Sequence, residues 1–150
     1  MKNISEKSLN IILKMQQNEL NKSYIYREIA KITKNKENKE TLLKLADEEE
    51  AHYNIWKSYT GKEMKPQKAK IFKYKWLAKI LGFTFAVKLM ENGEEIAQKE
   101  YEVLAEEVGE SIKIREQEIE HENALLEMLD EERLQYIGSM VLGMNDALVE

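Results

Sequence analysis

Asp47-Glu48-Glu49-Glu50-Ala51-His52-Tyr53 sets a glutamate and a histidine where a helix should bury leucine. Around it the inner residues run Leu42, Leu45, then Glu49, His52, then Trp56, Tyr59, in alternating steps of three and four that keep them on one helical face. Glu49 and His52 therefore point into a core. A carboxylate in an apolar interior costs several kcal/mol unless it is paired or coordinates a metal, so an inward Glu-x-x-His demands a partner, and an ion fits best.

The second half of the chain repeats the arrangement. Ile114, Glu118, His121, Leu125 and Met128 keep the same alternation, again with glutamate and histidine three apart. The protein has 2 histidines, and each follows a glutamate in phase with a hydrophobic seam. The competing interpretation is two half-exposed histidines on Glu-rich helices.

The 150 residues suit one domain with a substantial core. A charged fraction of 34%, with 1 proline and 6 glycines, favours long helices over sheet. The net charge of −5 is unevenly spread: Lys62, Lys65, Lys68, Lys70, Lys73, Lys75 and Lys79 face a single acid, Glu63, in their interval. The basic stretch is short and the rest would repel phosphate, so nucleic acid is not an expected partner. Without cysteine the chain has no disulfide, iron–sulfur ligation or thiolate zinc site. Met1-Lys2-Asn3 leads directly into a polar helix start, not a secretory signal, which points to a cytoplasmic location. No run of about 18 apolar residues is present.

The first helix is expected from Ser5 or Ser8 to about Thr33, with Ile12, Gln16, Glu19, Ser23, Tyr26 and Ala30 inward. Glu19 again interrupts an inner face, and the Tyr26 hydroxyl, two turns on, can support a ligand carboxylate from behind. Asn35-Lys36-Glu37-Asn38 reads as the turn into a second helix from Glu40 to Tyr59, ended by Gly61. Residues 61–88 form a long crossover that Pro66 starts and that soon becomes helical. Its Ile71, Phe72, Tyr74, Trp76, Leu77, Ile80 and Leu81 interleave with lysines, which suits either an anionic membrane surface or a crossover helix packed on the body. The third long helix continues to about Glu107 with Gly82 and Gly93 as tolerated weak points, its stripe including Thr84, Val87, Glu91, Glu94, Gln98 and Tyr101. Gly109 marks a turn into a fourth helix, Ser111 to Tyr136. Glu94 precedes Tyr101 by seven residues, as Glu19 precedes Tyr26, so Glu-x6-Tyr then Glu-x-x-His occurs twice.

Four helices carrying inward Glu19, Glu49/His52, Glu94 and Glu118/His121 match a carboxylate-bridged dinuclear metal site, in which two helices give one Glu and two give Glu-x-x-His. Four carboxylates balance two divalent ions. Imidazole with carboxylate suits iron or manganese better than calcium. Glu91 adds a carboxylate that would favour an oxidised pair.

These residues resemble the ferritin-like superfamily and, within it, the rubrerythrins, over about residues 8–135. The resemblance implies an all-α, ferritin-like four-helix bundle over residues 1–137, with a partly helical crossover between helices 2 and 3. It implies two iron ions, with manganese or zinc as substitutes, held by Glu19, Glu49, His52, Glu91, Glu94, Glu118 and His121, and backed by Tyr26 and Tyr101. Rubrerythrins reduce peroxide and ferritins oxidise ferrous iron at such sites, so Fe(II) and dioxygen or hydrogen peroxide are the expected partners. The rubredoxin-like domain of rubrerythrins is missing from this sequence.

Residues 138–150, Gly138-Ser139-Met140-Val141-Leu142-Gly143-Met144-Asn145-Asp146-Ala147-Leu148-Val149-Glu150, resemble the opening of the first transmembrane helix of the vacuolar iron transporter family, with Ala147 replacing the usual glycine. A frayed helix tail is the plain alternative. Rubrerythrin-like domains occur ahead of such transporters, so the chain is expected to be the soluble portion of such a fusion, at the inner face of the membrane. Two functions stay open: an oxidoreductase acting on Fe(II), or a non-catalytic iron-sensing or iron-delivery module; a stand-alone peroxidase is a variant of the first. The long crossover also makes a homodimer expected, with exchange of helix pairs as one route.

Overall fold

The chain folds as α1 (Glu6–Ile32), α2 (Lys36–Thr60), α3 (Lys68–Leu81) and α4 (Glu110–Val149). The computed structural model describes the backbone at residues 3–83, 86, 89, 90 and 99–149, and among these there is no strand. Residues 99–104 add a helical stretch before the turn that leads into α4.

The helix boundaries follow local chemistry. Ser5 caps α1, its hydroxyl accepting from Ser8 N–H at 3.2 Å. Asn35 caps α2 in the same way, accepting from Asn38 N–H at 3.0 Å, so α2 begins at Lys36 and not at Glu40. The polar run expected as a turn is thus a cap followed by an exposed first helical turn. Gly61 ends α2 at φ 64°, a left-handed conformation that glycine adopts without steric cost. Gly82 differs from its expected role as a tolerated weak point: at φ 88° and ψ 158° it terminates α3.

Two apolar clusters make the core. One joins Ile25, Tyr26, Ile29 and Ala30 of α1 to Leu42, Leu45 and Ala46 of α2, Ala78 of α3, Ala86, Met90, and Leu125 and Met128 of α4. The other joins Ile11, Ile12 and Met15 to Trp56, Tyr59, Tyr101, Leu104, Val108 and Ile114. The order in which each segment meets the clusters gives its direction. α2 passes from the first cluster to the second, and Ala86 and Met90 likewise lie in the first while Tyr101, Leu104 and Val108 lie in the second; α1 and α4 run the other way. A connection from α2 to Ala86 must return along the molecule, and α3 makes the return while packing on α1.

Polar side chains fasten the connection. Gln16, fully buried in the α1 stripe, donates to the Lys62 carbonyl at 2.7 Å and accepts from Thr60 Oγ1 at 2.7 Å. Asn21 donates to Gln67 Oε1 at 2.9 Å and accepts from Gln67 N–H at 3.0 Å. Lys75 donates to Glu28 at 2.7 Å, so the crossover lysines do not share one face.

α4 has 40 residues, about 60 Å of helix, against 27 for α1, and runs through Gly138 and Gly143 without a break. Ile137, Met140, Val141, Leu142 and Met144 near its end are exposed. No helix of the described residues is long and apolar enough to cross a membrane.

Candidate metal centre

Between the two clusters each long helix turns a polar layer inward. On α1 it is Glu19, between Met15 and Ile25; on α2 Glu49 and His52, between Ala46 and Trp56; on α4 Glu118 and His121, between Ile114 and Leu125. Glu19, Glu49, His52 and His121 are buried and Glu118 is half-buried. Glu19, Glu49, His52 and Glu118 each bring a ligand atom to a common space, all within 4.8 Å of one another. Glu91 and Glu94 lie outside the described residues.

Glu49 stands between the histidines. One of its oxygens lies 3.3 Å from His52 Nδ1 and the other 3.2 Å from His121 Nδ1. Glu118 Oε1 sits 3.0 Å from His52 Nδ1 and 3.9 Å from His121 Nδ1. The imidazole rings stack with centroids 5.6 Å apart, each aiming Nδ1 at the shared carboxylates.

The residue before each of these glutamates, which the sequence did not single out, orients the opposite histidine. Gln117 on α4 accepts from His52 Nε2 of α2 at 3.0 Å, and Glu48 on α2 accepts from His121 Nε2 of α4 at 2.5 Å. The two helices therefore brace each other's imidazoles, and each brace holds Nε2 protonated and turns Nδ1 to the site. Tyr101 donates to Glu19 Oε1 at 3.3 Å, supporting a glutamate that lies in the other half of the chain. Tyr26 is buried in the first apolar cluster.

Lys22 also reaches the site. Its Nζ lies 3.0 Å from Glu19 Oε2, 3.1 Å from Glu49 Oε1 and 2.8 Å from Glu118 Oε2. Its ammonium belongs among the would-be ligands and is buried with them.

This crowding of charge sets the protonation states. Burial pushes the Glu19 carboxyl well above the usual range; Lys22 opposes this, while Glu118 and Glu49 add to it. Burial also raises Glu49, but Lys22 and the close approach of Glu19, His121 and His52 outweigh it and hold that carboxylate well below its usual value. For His52 burial favours the neutral ring, yet Glu118 and Glu49 raise its pKa to about 9. His121 is raised as well: burial opposes, and Glu49, then Glu118 and Glu48, prevail. Burial, then Glu19, push the Tyr101 phenol far up.

Even so, Glu19 Oε2, Glu49 Oε2, His52 Nδ1 and Glu118 Oε1 are buried without an aligned hydrogen bond. Ion-pair distances as short as 3.0 Å bring opposite charges near these atoms without directing a proton along their lone pairs. Three carboxylate oxygens and one imidazole nitrogen gathered in this way could hold a metal ion. No known protein family matches the chain, and no curated protein and no solved structure matches it significantly.

Proposed function

We propose that this chain is a ferritin-like domain that binds a pair of iron ions and oxidises Fe(II) with dioxygen or peroxide, serving iron transport or detoxification by a linked membrane transporter. The observation that carries the reading is the convergence of Glu19, Glu49, His52 and Glu118, whose inward atoms lack aligned partners. The run of the segments supports it too, because two antiparallel pairs joined by a lengthwise return is the connectivity of ferritin-like bundles with one long crossover.

In this reading Glu19, Glu49, His52 and Glu118 would hold one ion, and His121, with Glu91 and Glu94, would serve the other. Manganese or zinc would fit the same donors. Two iron ions bound there would supply two electrons, each passing from Fe(II) to Fe(III), enough with two protons to reduce one peroxide to two waters. The chain's own part is to position and to balance charge. Glu49 and Glu118 each offer an oxygen to both histidines' sides. His52 and His121 would give up their Nδ1 protons on becoming ligands, and Tyr101 holds Glu19 in place. The apolar clusters above and below exclude bulk water.

Stopped-flow mixing of the Fe(II)-loaded protein with oxygen and with peroxide tests the reaction. Oxidation far faster than for free Fe(II), lost in Glu49→Gln, is expected. Tight iron binding without oxidation would leave the sensing or delivery function instead.

The membrane side of the proposal draws on α3. Phe72, Trp76 and Ile80 are exposed at 64%, 55% and 56%, on the face opposite Ile71, Tyr74, Leu77 and Ala78 that pack on the body. Lys68, Lys73 and Lys79 flank that outer stripe on the helix, an arrangement suited to the anionic inner leaflet of a membrane.

A further inference from the structure

Lys22 is the one lysine of α1 whose ammonium lies among the inward carboxylates, and nothing in a metal-binding role calls for a cation from the chain there. Its Nζ is 2.8–3.1 Å from oxygens of Glu19, Glu49 and Glu118, and these three residues belong to the would-be ligand set. A carboxylate oxygen that neutralises an ammonium at this distance cannot at the same time give its full charge to a metal ion. Lys22 also lines a second space. A cavity of about 80 Å³, bordered by Asn18, Asn21, Ile25, Lys70, Tyr74 and Met90, opens on the α1–α3 side of the molecule, and Lys22 is the residue common to it and to the site.

We infer that Lys22 is a tethered cation that competes with metal for Glu19, Glu49 and Glu118, and that loading displaces its ammonium into the adjoining cavity between α1 and α3. The inference rests on the metal-centre reading above and adds a regulator of affinity to it. In the metal-free protein Lys22 offsets the repulsion among Glu19, Glu49 and the half-buried Glu118, which keeps the layer assembled. In the loaded protein the ion takes over that role, and the flexible four-carbon stem lets the ammonium swing toward the exposed Asn18 at the mouth of the cavity. The cost of withdrawing Lys22 is subtracted from metal affinity, so the site binds more weakly than its ligands alone would allow. Such a site can load and unload.

Cobalt(II) titration followed by calorimetry, with thermal melts of the metal-free forms, tests this on wild type, Lys22→Met and Lys22→Arg. Lys22→Met should bind cobalt at least tenfold more tightly and melt lower when metal-free; Lys22→Arg, which keeps the charge, should bind no more tightly than wild type. If Lys22→Met does not fold without metal, amine-dimethylation mapping of the wild type gives the answer. Labelling of Lys22, relative to Lys70, should rise on loading. Unchanged or weaker cobalt binding in a folded Lys22→Met, or a fall in Lys22 labelling on loading, overturns the inference and leaves the metal centre standing. Absence of cobalt binding in all three proteins overturns both.

Discussion

At neutral pH His52, its pKa raised to about 9, carries a proton on the Nδ1 that faces Glu49 and Glu118. A metal ion must displace that proton, so affinity should climb as pH rises toward 9. Metal-free stability should move the other way. The contribution of the paired His52 is fully present below 6.5, its unperturbed value, and is lost as pH rises through about 9. Glu49, held low, adds stability above 4.5 that is lost in acid. Melting curves of the metal-free protein and cobalt titrations across this range should therefore slope in opposite directions on the alkaline side; parallel slopes would mean that His52 is not a ligand. The cross-braces make a second residue-level expectation. Gln117→Leu, or Glu48→Ala, should weaken metal binding about 10–100-fold with helix content unchanged, because each frees one ring to turn. Calorimetry and circular dichroism on the same samples read both quantities. The inward Glu19, Glu49, His52, Glu118 and His121 were legible because each interrupts an apolar stripe at helical spacing. Gln117 and Glu48 were not, since they stand one residue off that stripe, where a polar side chain normally means solvent. Lys22 was hidden for a similar reason: its Cα lies beside the stripe and only its long stem carries the charge inward.

At the scale of the element, Gly82 decides where α3 stops. Its φ of 88° with extended ψ is a conformation that only glycine adopts readily, and no atom lies within 4 Å of where a Cβ would be. Gly82→Ala should thus cost about 1–3 kcal/mol through backbone strain alone, seen as a lower denaturant midpoint with an unchanged slope. No loss of stability would mean that the helix runs through this position. The outer stripe of α3 makes a separate expectation. Vesicles containing anionic lipid should bind the chain at low salt, with each lysine near the surface contributing about 1 kcal/mol, and neutral vesicles should retain little. Replacing Lys68, Lys73 and Lys79 by glutamine should abolish the binding; retention after that change would reduce α3 to a return helix with a solvated face. The stripes of α1, α2 and α4 could be read directly because alternation of three and four places every member on one face. Helix ends were harder. Asn35, Lys36, Glu37 and Asn38 are all polar, and the only difference between a loop and a capped exposed turn was which asparagine accepted the first amide. Gly82 and Gly138 are the same residue type in similar surroundings of sequence, yet one breaks a helix and the other continues it.

For the whole molecule, the polar layer between two apolar clusters means that folding and loading are linked. An ion held by Glu19, Glu49, His52 and Glu118, as proposed, would bind only the assembled layer, so saturating iron or cobalt should raise the melting temperature by mass action, with roughly 2.7 kcal/mol of added stability at a hundredfold excess over Kd. Both helix pairs pack together within one chain here, and an exchanged dimer would make the same contacts between two chains. Sedimentation at micromolar concentration should give a dimer; a monomer would remove that part of the proposal. The direction of each segment could not be taken from the sequence, because it depends on which cluster each end joins. The Glu-His layer was predictable because its cost of burial demands compensation wherever the helices sit. The most direct test of the centre is anomalous diffraction at the iron edge from crystals soaked in Fe(II) without oxygen. Two peaks flanking Glu49 and Glu118, one beside His52 and one beside His121, are expected. Iron confined to the exposed acidic surface, with no peak between these residues, would contradict the account.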